Sequence, residues 1–340
     1  MTNVTSGSER AAESVFLIDQ AMSFAYPAAL RAAAVVGVAD HLVEGPKTLE
    51  ELAAATKTDA QKLHRVLRLL TTRGVFREDE KGRFRLTPSA EQLRRDVPMS
   101  ARQAVIMLTS KQHWVPLEEL AECLRSDRPS FNHIFGTSIW EYRGTDLSPD
   151  EEFHLGMSLM SEAEVQSPIG LYDFPKGATV VDVGGGVGAV LLTVLRKDPS
   201  LRGILFDQEY VLAKNRLTEL EDDDRWELKA GDFFKECPEG DVYLLKYITH
   251  DWDDESAIRI LRNCREAMRP GGRVLVFETV IPRESVHHTG KFMDMLVMGI
   301  YPGRERTEED FRKLLASAGL RLTRVVEGDS HVGIVEAVAA

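Results

Sequence analysis

The chain has 340 residues, of which 54 are acidic and 42 basic, and its formal net charge is -12. This length suits two domains, and the acidic surplus disfavours attraction to nucleic-acid phosphates or to anionic membranes. Because the three cysteines form no C-x-x-C pair and no apolar run approaches the roughly 20 residues that span a bilayer, we expect a cytoplasmic protein without a disulfide framework, a zinc site or a membrane span.

The first part of the sequence predicts helices followed by a β-hairpin. An alanine-rich apolar stretch comes first, and the next segment predicts two helices whose N-caps are Thr48 and Thr58. Two short β-like runs in GVFREDEKGRFRLT then flank the polar turn Glu78–Gly82. This order is typical of a winged helix, which we place at residues 1–98.

A winged helix usually suggests DNA binding, so a regulator that reads DNA under the control of a bound ligand is one alternative function. The second predicted helix, DAQKLHRVLRLLTTR, does carry lysine and arginine. Leucine and valine interleave with them at the spacing of a buried face, however. The pattern therefore favours a helical module that dimerises and covers a pocket.

Residues 99–170 predict a helical linker that also contributes to a substrate pocket. The segments KQHWVPLEEL, FNHIFGTSIWEY and EEFHLGMSLMSEAE are rich in aromatic residues and methionine. Such side chains commonly fill protein cores. Their density just before the next domain keeps the pocket interpretation open.

From residue 171 to residue 340, short apolar runs alternate with helical stretches. The predicted strands are TVVDV, RGILF, WELKA, DVYLLKY and GRVLVFE, and the predicted crossover helices include VLAKNRLTEL and ESAIRILRNCREAMRPGG. LRLTRVVEG and HVGIVEAVAA look like a closing pair of strands. This alternation predicts an α/β, Rossmann-like domain with a mostly parallel sheet.

A glycine loop, Gly184–Gly188, follows the first of these strands. Ligands bind beyond the carboxyl ends of such strands, and glycine lets the backbone come close to them. The loop also satisfies a loose dinucleotide fingerprint. Asp182 discriminates, because its carboxylate would oppose a pyrophosphate but suits the ammonium and sulfonium groups of S-adenosylmethionine.

Two further acids end the next two strands. Asp207 is placed to accept hydrogen bonds from ribose hydroxyls, and Asp232 from an adenine amino group, with Phe233 covering the ring. Any one of these acids could instead cap a helix. Acids at the ends of three successive strands favour an adenosine site.

The fourth strand continues into YITHDWDDES and brings Lys246 and His250 to the point where a substrate would meet the cofactor. A neutral imidazole suits a general base there. The acids Asp253–Glu255 are expected to begin a helix, and Asp251 is left open between capping and support of His250. A metal site is disfavoured because no second histidine lies at ligand spacing.

A histidine base needs a partner on its second ring nitrogen. Glu278, at the end of the fifth strand, and Glu305, in YPGRERTEEDF, are the carboxylates placed to approach the crevice. Glu305 could equally cap the helix that begins at Thr307. The sequence leaves these two roles for Glu305 open.

The segments PSFNHIFGTSIWEY, EEFHLGM, VVDVGGGVGA, LFDQ, GDFF, LLKYITHDWDDE, LVFETVIP and GRERTEEDF together resemble the S-adenosylmethionine-dependent small-molecule O-methyltransferases of plants and bacteria. The resemblance spans nearly the whole chain. It implies cofactor contacts by Gly184, Asp207, Asp232, Phe233 and Lys246. It implies that His250 is the base, held by Glu278 and Glu305, and that the acceptor pocket includes Met157, Met295 and Met298. LFDQEYV departs from the family's usual Asp-Leu-Pro, which leaves the contacts next to Asp207 uncertain.

The resemblance also implies an intertwined homodimer and a function. We expect methyl transfer from S-adenosylmethionine to a hydroxyl, most simply phenolic, of an aromatic secondary metabolite, leaving S-adenosyl-L-homocysteine (SAH). The alternative within enzymes is a tailoring reaction on the same fold, without methyl transfer or at another atom. His250 with two candidate carboxylates favours O-methylation.

Overall fold

The computed structural model describes residues 7–143 and 150–340, so the first six residues of the predicted domain 1–98 and residues 144–149 of the predicted segment 99–170 lie outside the described part. The chain divides into two units, Met1–Thr109 and Ser110–Ala340. The finer division into three parts stays a prediction.

The first unit is mainly helical and contains the predicted hairpin, which two short helices follow. Its elements are α1 (Gly7–Met22), α2 (Ala25–Val36), α3 (Leu49–Thr56), α4 (Ala60–Thr71), β1 (Phe76–Glu78), β2 (Phe84–Leu86), α5 (Pro88–Glu91) and α6 (Arg102–Leu108). Phe76 pairs with Leu86 across the antiparallel hairpin. The predicted winged-helix order is confirmed.

Helix α4 shows why this unit has a core of its own. Its leucines at positions i, i+4 and i+7, Leu63, Leu67 and Leu70, are buried in one apolar cluster. The basic residues of the same helix are exposed: Lys62, Arg65 and Arg68. The leucine spacing that the sequence shows is therefore a packing face.

One of the two predicted helix N-caps in this unit is confirmed, and the other is wrong. Thr48 caps α3 as predicted, in a capping box with Glu51. The prediction of Thr58 as the cap of α4 is wrong, because the Asp59 carboxylate accepts the backbone N–H of Lys62 at 2.8 Å. The Thr58 hydroxyl instead lies 2.9 Å from the hydroxyl of Thr56.

The second unit contains a seven-stranded sheet and its helices. The strands are β3 (Thr179–Val183), β4 (Arg202–Asp207), β5 (Trp226–Ala230), β6 (Gly240–Lys246), β7 (Met268–Glu278), β8 (Leu320–Val326) and β9 (Gly333–Ala339). The helices are α7 (Lys111–Glu118), α8 (Leu120–Cys123), α9 (Ser130–Phe135), α10 (Ile139–Arg143), α11 (Asp150–Leu171), α12 (Ala189–Lys197), α13 (Glu209–Leu212), α14 (Asp254–Ala267), α15 (Thr289–Ile300) and α16 (Glu308–Ser317).

The strand order is β5-β4-β3-β6-β7-β9-β8, with β3 to β7 parallel and β9 antiparallel to both of its neighbours. This confirms the predicted α/β fold with a mostly parallel sheet and a closing pair of strands. The order reverses between β3 and β6, and such a switch point opens a crevice at the carboxyl ends of the two strands.

Successive residues of each strand pack on opposite faces of the sheet. In β6, Val242 and Leu244 join the apolar cluster that includes α11 and α12, whereas Tyr243 and Leu245 join the cluster that includes α14 and α16. Burial on both faces explains why the predicted strands are continuous apolar runs rather than alternating ones. The sheet is thereby fixed under the crevice.

One predicted crossover helix, VLAKNRLTEL, is wrong. It forms only the four-residue α13 and a short 3₁₀ turn, Leu217–Leu220. Between them the Arg216 backbone N–H donates to the carbonyl of Val187 in the glycine loop at 2.8 Å, and the Asn215 side chain accepts the N–H of Leu217 at 3.1 Å. These bonds replace the helical ones. Within the described residues, no helix is both long and apolar enough to cross a membrane.

We expect Asp59→Ala to destabilise the first unit by about 1 kcal/mol, the usual loss for an N-cap carboxylate. Thr58→Ala serves as the matched control and should cost clearly less, because Thr58 does not cap α4. Urea unfolding followed by far-ultraviolet circular dichroism measures both. Equal losses would contradict the cap assignment.

Candidate active site

The glycine loop lies against two apolar side chains of the crevice. Gly184 has a φ of 64°, in the left-handed region that glycine adopts without strain. A Cβ atom on it would lie 2.7 Å from Cδ1 of Ile248 and 3.2 Å from Cε1 of Phe233. Glycine therefore lets the backbone approach side chains from the ends of both β5 and β6.

Asp182 lies beneath this loop rather than in the crevice. It is 1% exposed, and its Oδ2 accepts the backbone N–H of Leu191 at 3.3 Å. A Cβ on Gly185 would lie 2.5 Å from its Cγ. Burial, with a smaller contribution from the charge of Asp207, raises the pKa of Asp182 to about 7.

Asp207 ties the end of β4 to the loop. One carboxylate oxygen accepts the N–H of Gly186 at 2.8 Å, and the other accepts the N–H of Gln208 at 2.7 Å. Burial raises the pKa of Asp207, although these two hydrogen bonds oppose the rise. The half-buried carboxylate thus lies beside the glycines, where the sequence predicts a ribose contact.

Asp232 and Phe233 follow β5 directly. The Asp232 carboxylate accepts the N–H of Phe234 at 2.9 Å, so it also closes its own turn. The ring of Phe233 packs edge-on against Phe234 and Trp252. Since β5, β4 and β3 are adjacent, the structure brings Asp207, Phe233 and the glycine loop to one edge of the sheet.

Lys246 is buried and paired with an acid that the sequence did not single out. Its Nζ lies 2.7 Å from Oε2 of Glu164 in α11. Burial lowers the pKa of Lys246, and the Glu164 carboxylate opposes that change. Glu164 sits in a polar helical run without any motif, and only its packing against β6 marks it.

His250 lies in the short turn Thr249–Asp251 after β6 and is 6% exposed. Its Nδ1 is 2.7 Å from Oε1 of Glu305, and its Nε2 is 3.3 Å from Oδ1 of Asp251. The contact of Asp251 is therefore with the imidazole, and Asp253 is the cap of α14, accepting the N–H of Ser256 at 2.8 Å. The predicted helix start at the acidic run is confirmed.

Glu278 holds the backbone of this turn rather than the imidazole ring. Its carboxylate accepts the Thr249 hydroxyl at 2.8 Å and the backbone N–H of His250 at 3.0 Å. The buried guanidinium of Arg306 donates to the carbonyl of Thr249 at 2.7 Å from the other side. The turn is fixed between an anion and a cation.

Glu305 does not cap α16, so that alternative is wrong. The cap is Thr307, in a capping box with Asp310. The backbone N–H of Glu305 donates instead to Asp294 of α15 at 2.9 Å. The backbone of Glu305 is thus held by Asp294, and its carboxylate bonds to His250.

The carboxylates around His250 set the pKa of its imidazole. Burial alone would lower the pKa of His250, but Glu305 and Asp251 outweigh it and raise that pKa to about 9. Burial likewise raises the pKa of Asp251 to about 7, against the opposing charges of His250 and Arg143. These carboxylates therefore favour the imidazolium form of His250 at neutral pH.

Aromatic residues border the turn. The sequence predicts that Trp252 helps to wall the cofactor cleft, but it did not single out Trp140 or Tyr301 as site residues. Trp252 stacks on Trp140 with ring centroids 5.2 Å apart. Tyr301 packs against Trp140 and accepts a hydrogen bond from Arg143 at 2.7 Å. No group of three or more His, Cys, Asp or Glu side chains is arranged to hold a metal ion in the described ranges.

The methionines expected to line a pocket differ in their surroundings. Met157 packs against the core cluster under α11 and α12. Met295 is 41% exposed, and the carbonyl of Met298 lies 3.6 Å from Sγ of Cys123. Met295 and Met298 lie in α15, which also carries Asp294, the residue that accepts the backbone N–H of Glu305.

The chain is similar to known O-methyltransferases in both sequence and fold. A model of the O-methyltransferase domain matches residues 117–321, and a model of the O-methyltransferase dimerisation domain matches residues 18–96. The solved structure of CalO1, a methyltransferase in calicheamicin biosynthesis, in its SAH-bound form, is 45% identical with a TM-score of 0.91, covering 97% of this chain and 99% of that chain.

Two curated relatives act on phenazines. The phenazine O-methyltransferase PhzM of Lysobacter antibioticus is 39% identical, over 91% of this chain and 91% of that protein. The phenazine-1-carboxylate N-methyltransferase of Pseudomonas aeruginosa is 34% identical, over 90% of this chain and 91% of that protein.

Asp182→Asn should stabilise the ligand-free protein at neutral pH. Because burial raises the acid's pKa from 3.8 to about 7, the wild type loses stability as pH rises through this window, by at most about 4 kcal/mol. The gain of the variant in urea unfolding should therefore grow from pH 4 to pH 7 and then level off. The exposed control Asp223→Asn should show no such trend, and a gain independent of pH would refute the buried-acid explanation.

Glu305→Gln should lower the pKa of His250. In the wild type the stabilisation from the imidazolium is full below pH 6.5 and is lost as pH rises to about 9. Without the Glu305 charge this loss should move to lower pH, which a nuclear magnetic resonance titration of the His250 ring measures directly. Glu308→Gln, which removes an exposed acid three residues away, is the control. The same His250 titration in both variants would mean that Glu305 does not set the charge.

Proposed function

Because the chain belongs to the S-adenosylmethionine-dependent O-methyltransferase family, we propose that it methylates a phenolic hydroxyl of an aromatic secondary metabolite with His250 as general base. The observation that carries this proposal is the 2.7 Å contact of His250 with Glu305 at the crevice that the glycine loop borders. Ile248, two residues before His250, packs against Gly184, so the proposed base lies next to the proposed cofactor site.

The residues at the sheet edge fit the cofactor. A Cβ on Gly186 would meet no heavy atom within 4 Å, so the loop has room for a ligand there. Asp207 and Asp232 offer acceptors for the ribose hydroxyls and the adenine amino group, and Phe233 offers a ring face. Lys246 with Glu164 presents an ammonium beside a carboxylate, which complements the charged groups of an amino acid. When bound, S-adenosylmethionine supplies an electrophilic methyl group on its sulfonium.

His250 must be neutral to accept a proton. The positive sulfonium of a bound cofactor would lower the pKa of His250, because like charges disfavour the imidazolium. Glu305 then keeps the remaining proton on Nδ1, which leaves Nε2 free to accept. The O–H bond of the acceptor breaks, an Nε2–H bond forms, and the resulting imidazolium is stabilised by Glu305 and Asp251.

The acceptor side of the pocket is proposed to be aromatic and sulfur-rich. Trp140, Trp252 and Tyr301 offer stacking faces near His250, and Met157, Met295 and Met298 are kept as proposed lining residues. The names of the two phenazine relatives support a planar aromatic acceptor.

We also propose a homodimer in the reducing cytoplasm. The dimerisation-domain match begins within α1, and consecutive apolar residues of that helix are exposed: Val15, Phe16, Leu17 and Ile18. Cys123, Cys237 and Cys264 are free thiols. Membership of an enzyme family disfavours the alternative of a ligand-controlled DNA-binding regulator.

Methyl transfer to nitrogen is a second candidate, because one relative is named an N-methyltransferase. A neutral nitrogen attacks through its own lone pair and needs no base before the transfer. Dependence of the rate on His250 therefore separates the two candidates.

His250→Gln should lower kcat for phenolic acceptors by a factor of about 10² to 10⁴ while cofactor affinity changes little. Turnover is measured with methyl-labelled S-adenosylmethionine and a panel of phenols and heteroaromatic amines, and affinity by calorimetry. His133→Gln, an exposed histidine on α9, is the control. Wild-type turnover of phenols by His250→Gln would rule out the base assignment, and turnover confined to the amines would favour N-methylation.

A further inference from the structure

Tyr247 has an unusual backbone for its residue type. It directly follows β6, is 5% exposed and has a φ of 55°, in the left-handed region that few residues other than glycine adopt. Its N–H donates to the carbonyl of Phe277 at 3.2 Å. Such a conformation persists only where the surroundings hold it, and it often occurs at functional sites.

The ring of Tyr247 lies against two cationic side chains. It stacks on the imidazole of His250, with centroids 4.8 Å apart and planes inclined by 10°. The Nζ of Lys246 lies 3.4 Å from the centroid of the same ring. An aromatic face attracts positive charge, so the ring suits both an ammonium and an imidazolium.

The hydroxyl of Tyr247 fixes the far end of the side chain. It donates to Oε1 of Glu164 at 3.2 Å and lies 3.2 Å from Nε2 of His331, which follows β8. Burial, together with Glu164 and Glu305, raises the pKa of Tyr247 well above its usual value, so the hydroxyl stays protonated. The ring is thus held at both ends, by its strained backbone and by α11.

We propose that Tyr247 is a positioning residue for His250, fixing the plane of the imidazole through its ring and anchoring that ring to α11 through its hydroxyl. The importance of this role rests on the proposed function of His250 as the base. The stacking contact itself does not depend on what the protein methylates.

The contribution of Tyr247 is separable from that of the charged groups around His250. Glu305 and Asp251 approach the two ring nitrogens, Glu278 binds the backbone, and Arg306, Arg143 and Lys246 are the nearby cations. Glu305 forms its hydrogen bond at the edge of the imidazole, whereas Tyr247 covers a face. Removing the face should shift the titration of His250 without removing any charge.

The test compares Tyr247→Leu and Tyr247→Phe in the ligand-free protein by nuclear magnetic resonance titration of His250. Tyr247→Leu should lower the pKa of His250 by about 0.5 to 1 unit, and Tyr247→Phe, which keeps the ring, by clearly less. In the methyl-transfer assay Tyr247→Leu should lower kcat by about 10- to 100-fold with little change in KM for the cofactor. Tyr243→Leu and Tyr243→Phe are matched controls, because Tyr243 is a buried tyrosine in β6, four residues before Tyr247, and its hydroxyl donates to the carbonyl of Pro238 instead.

If Tyr247→Leu fails to fold, Tyr247→Asn replaces it, since asparagine tolerates the left-handed backbone and also lacks the ring. An unchanged His250 titration in the ring-less variant would overturn the proposal, and so would an equal shift in Tyr243→Leu. If the titration shifts as expected but the wild type transfers no methyl group to phenols, the stacking role stands and the proposed function fails.

Discussion

A buried charge is stable only where opposite charges and hydrogen bonds replace the water it has lost, and this requirement organises the pocket around His250. The imidazole is supplied by the turn after β6, and its partner Glu305 by the link between α15 and α16. Glu278 at the end of β7 and Arg306 beside Glu305 hold the turn itself. Three separate segments of the second unit thus converge on this one turn.

Buried acids in this structure are stabilised in two ways. Glu305 is paired with a cation, whereas Asp182 has the backbone N–H of Leu191 near the start of α12 and a raised pKa. The second solution suits a residue that supports a loop, because the raised pKa favours the protonated carboxyl group, and that form needs no counter-ion under the glycines. The first favours the charged form of His250, because the neighbouring carboxylate of Glu305 raises the pKa of the imidazole.

Much of this arrangement could be predicted from sequence, because the carboxyl ends of parallel strands meet at one edge of a sheet. That rule alone brings Gly184, Asp207, Phe233 and His250 together, and the apolar runs mark the strands. What the rule does not supply is where a side chain points within the crevice. Asp182 follows the strand pattern as well as Asp207 does, yet packing turns it beneath the loop.

Contacts between elements that lie far apart in the sequence cannot be predicted from local sequence patterns. Glu164 lies outside the segments that carry the family resemblance, and it contacts Lys246 only because α11 packs on the sheet. Glu305 precedes a helix start, so local pattern allows a cap until Thr307 and Asp310 are seen to form one. The crossover after β4 failed as a helix because Arg216 bonds to the glycine loop, and no local propensity encodes that bond.

The separation of these partners along the chain also matters for how the molecule is made. His250 meets Glu305 55 residues later, and Lys246 meets Glu164 82 residues earlier. Contacts of such range form slowly, because a long loop must close before they return any stabilisation. During synthesis on the ribosome the turn after β6 therefore waits, without its counter-charge, until the chain beyond α15 has emerged. A chain cut short before Glu305 would contain both Lys246 and Glu164, but it would leave Nδ1 of His250 without its carboxylate partner.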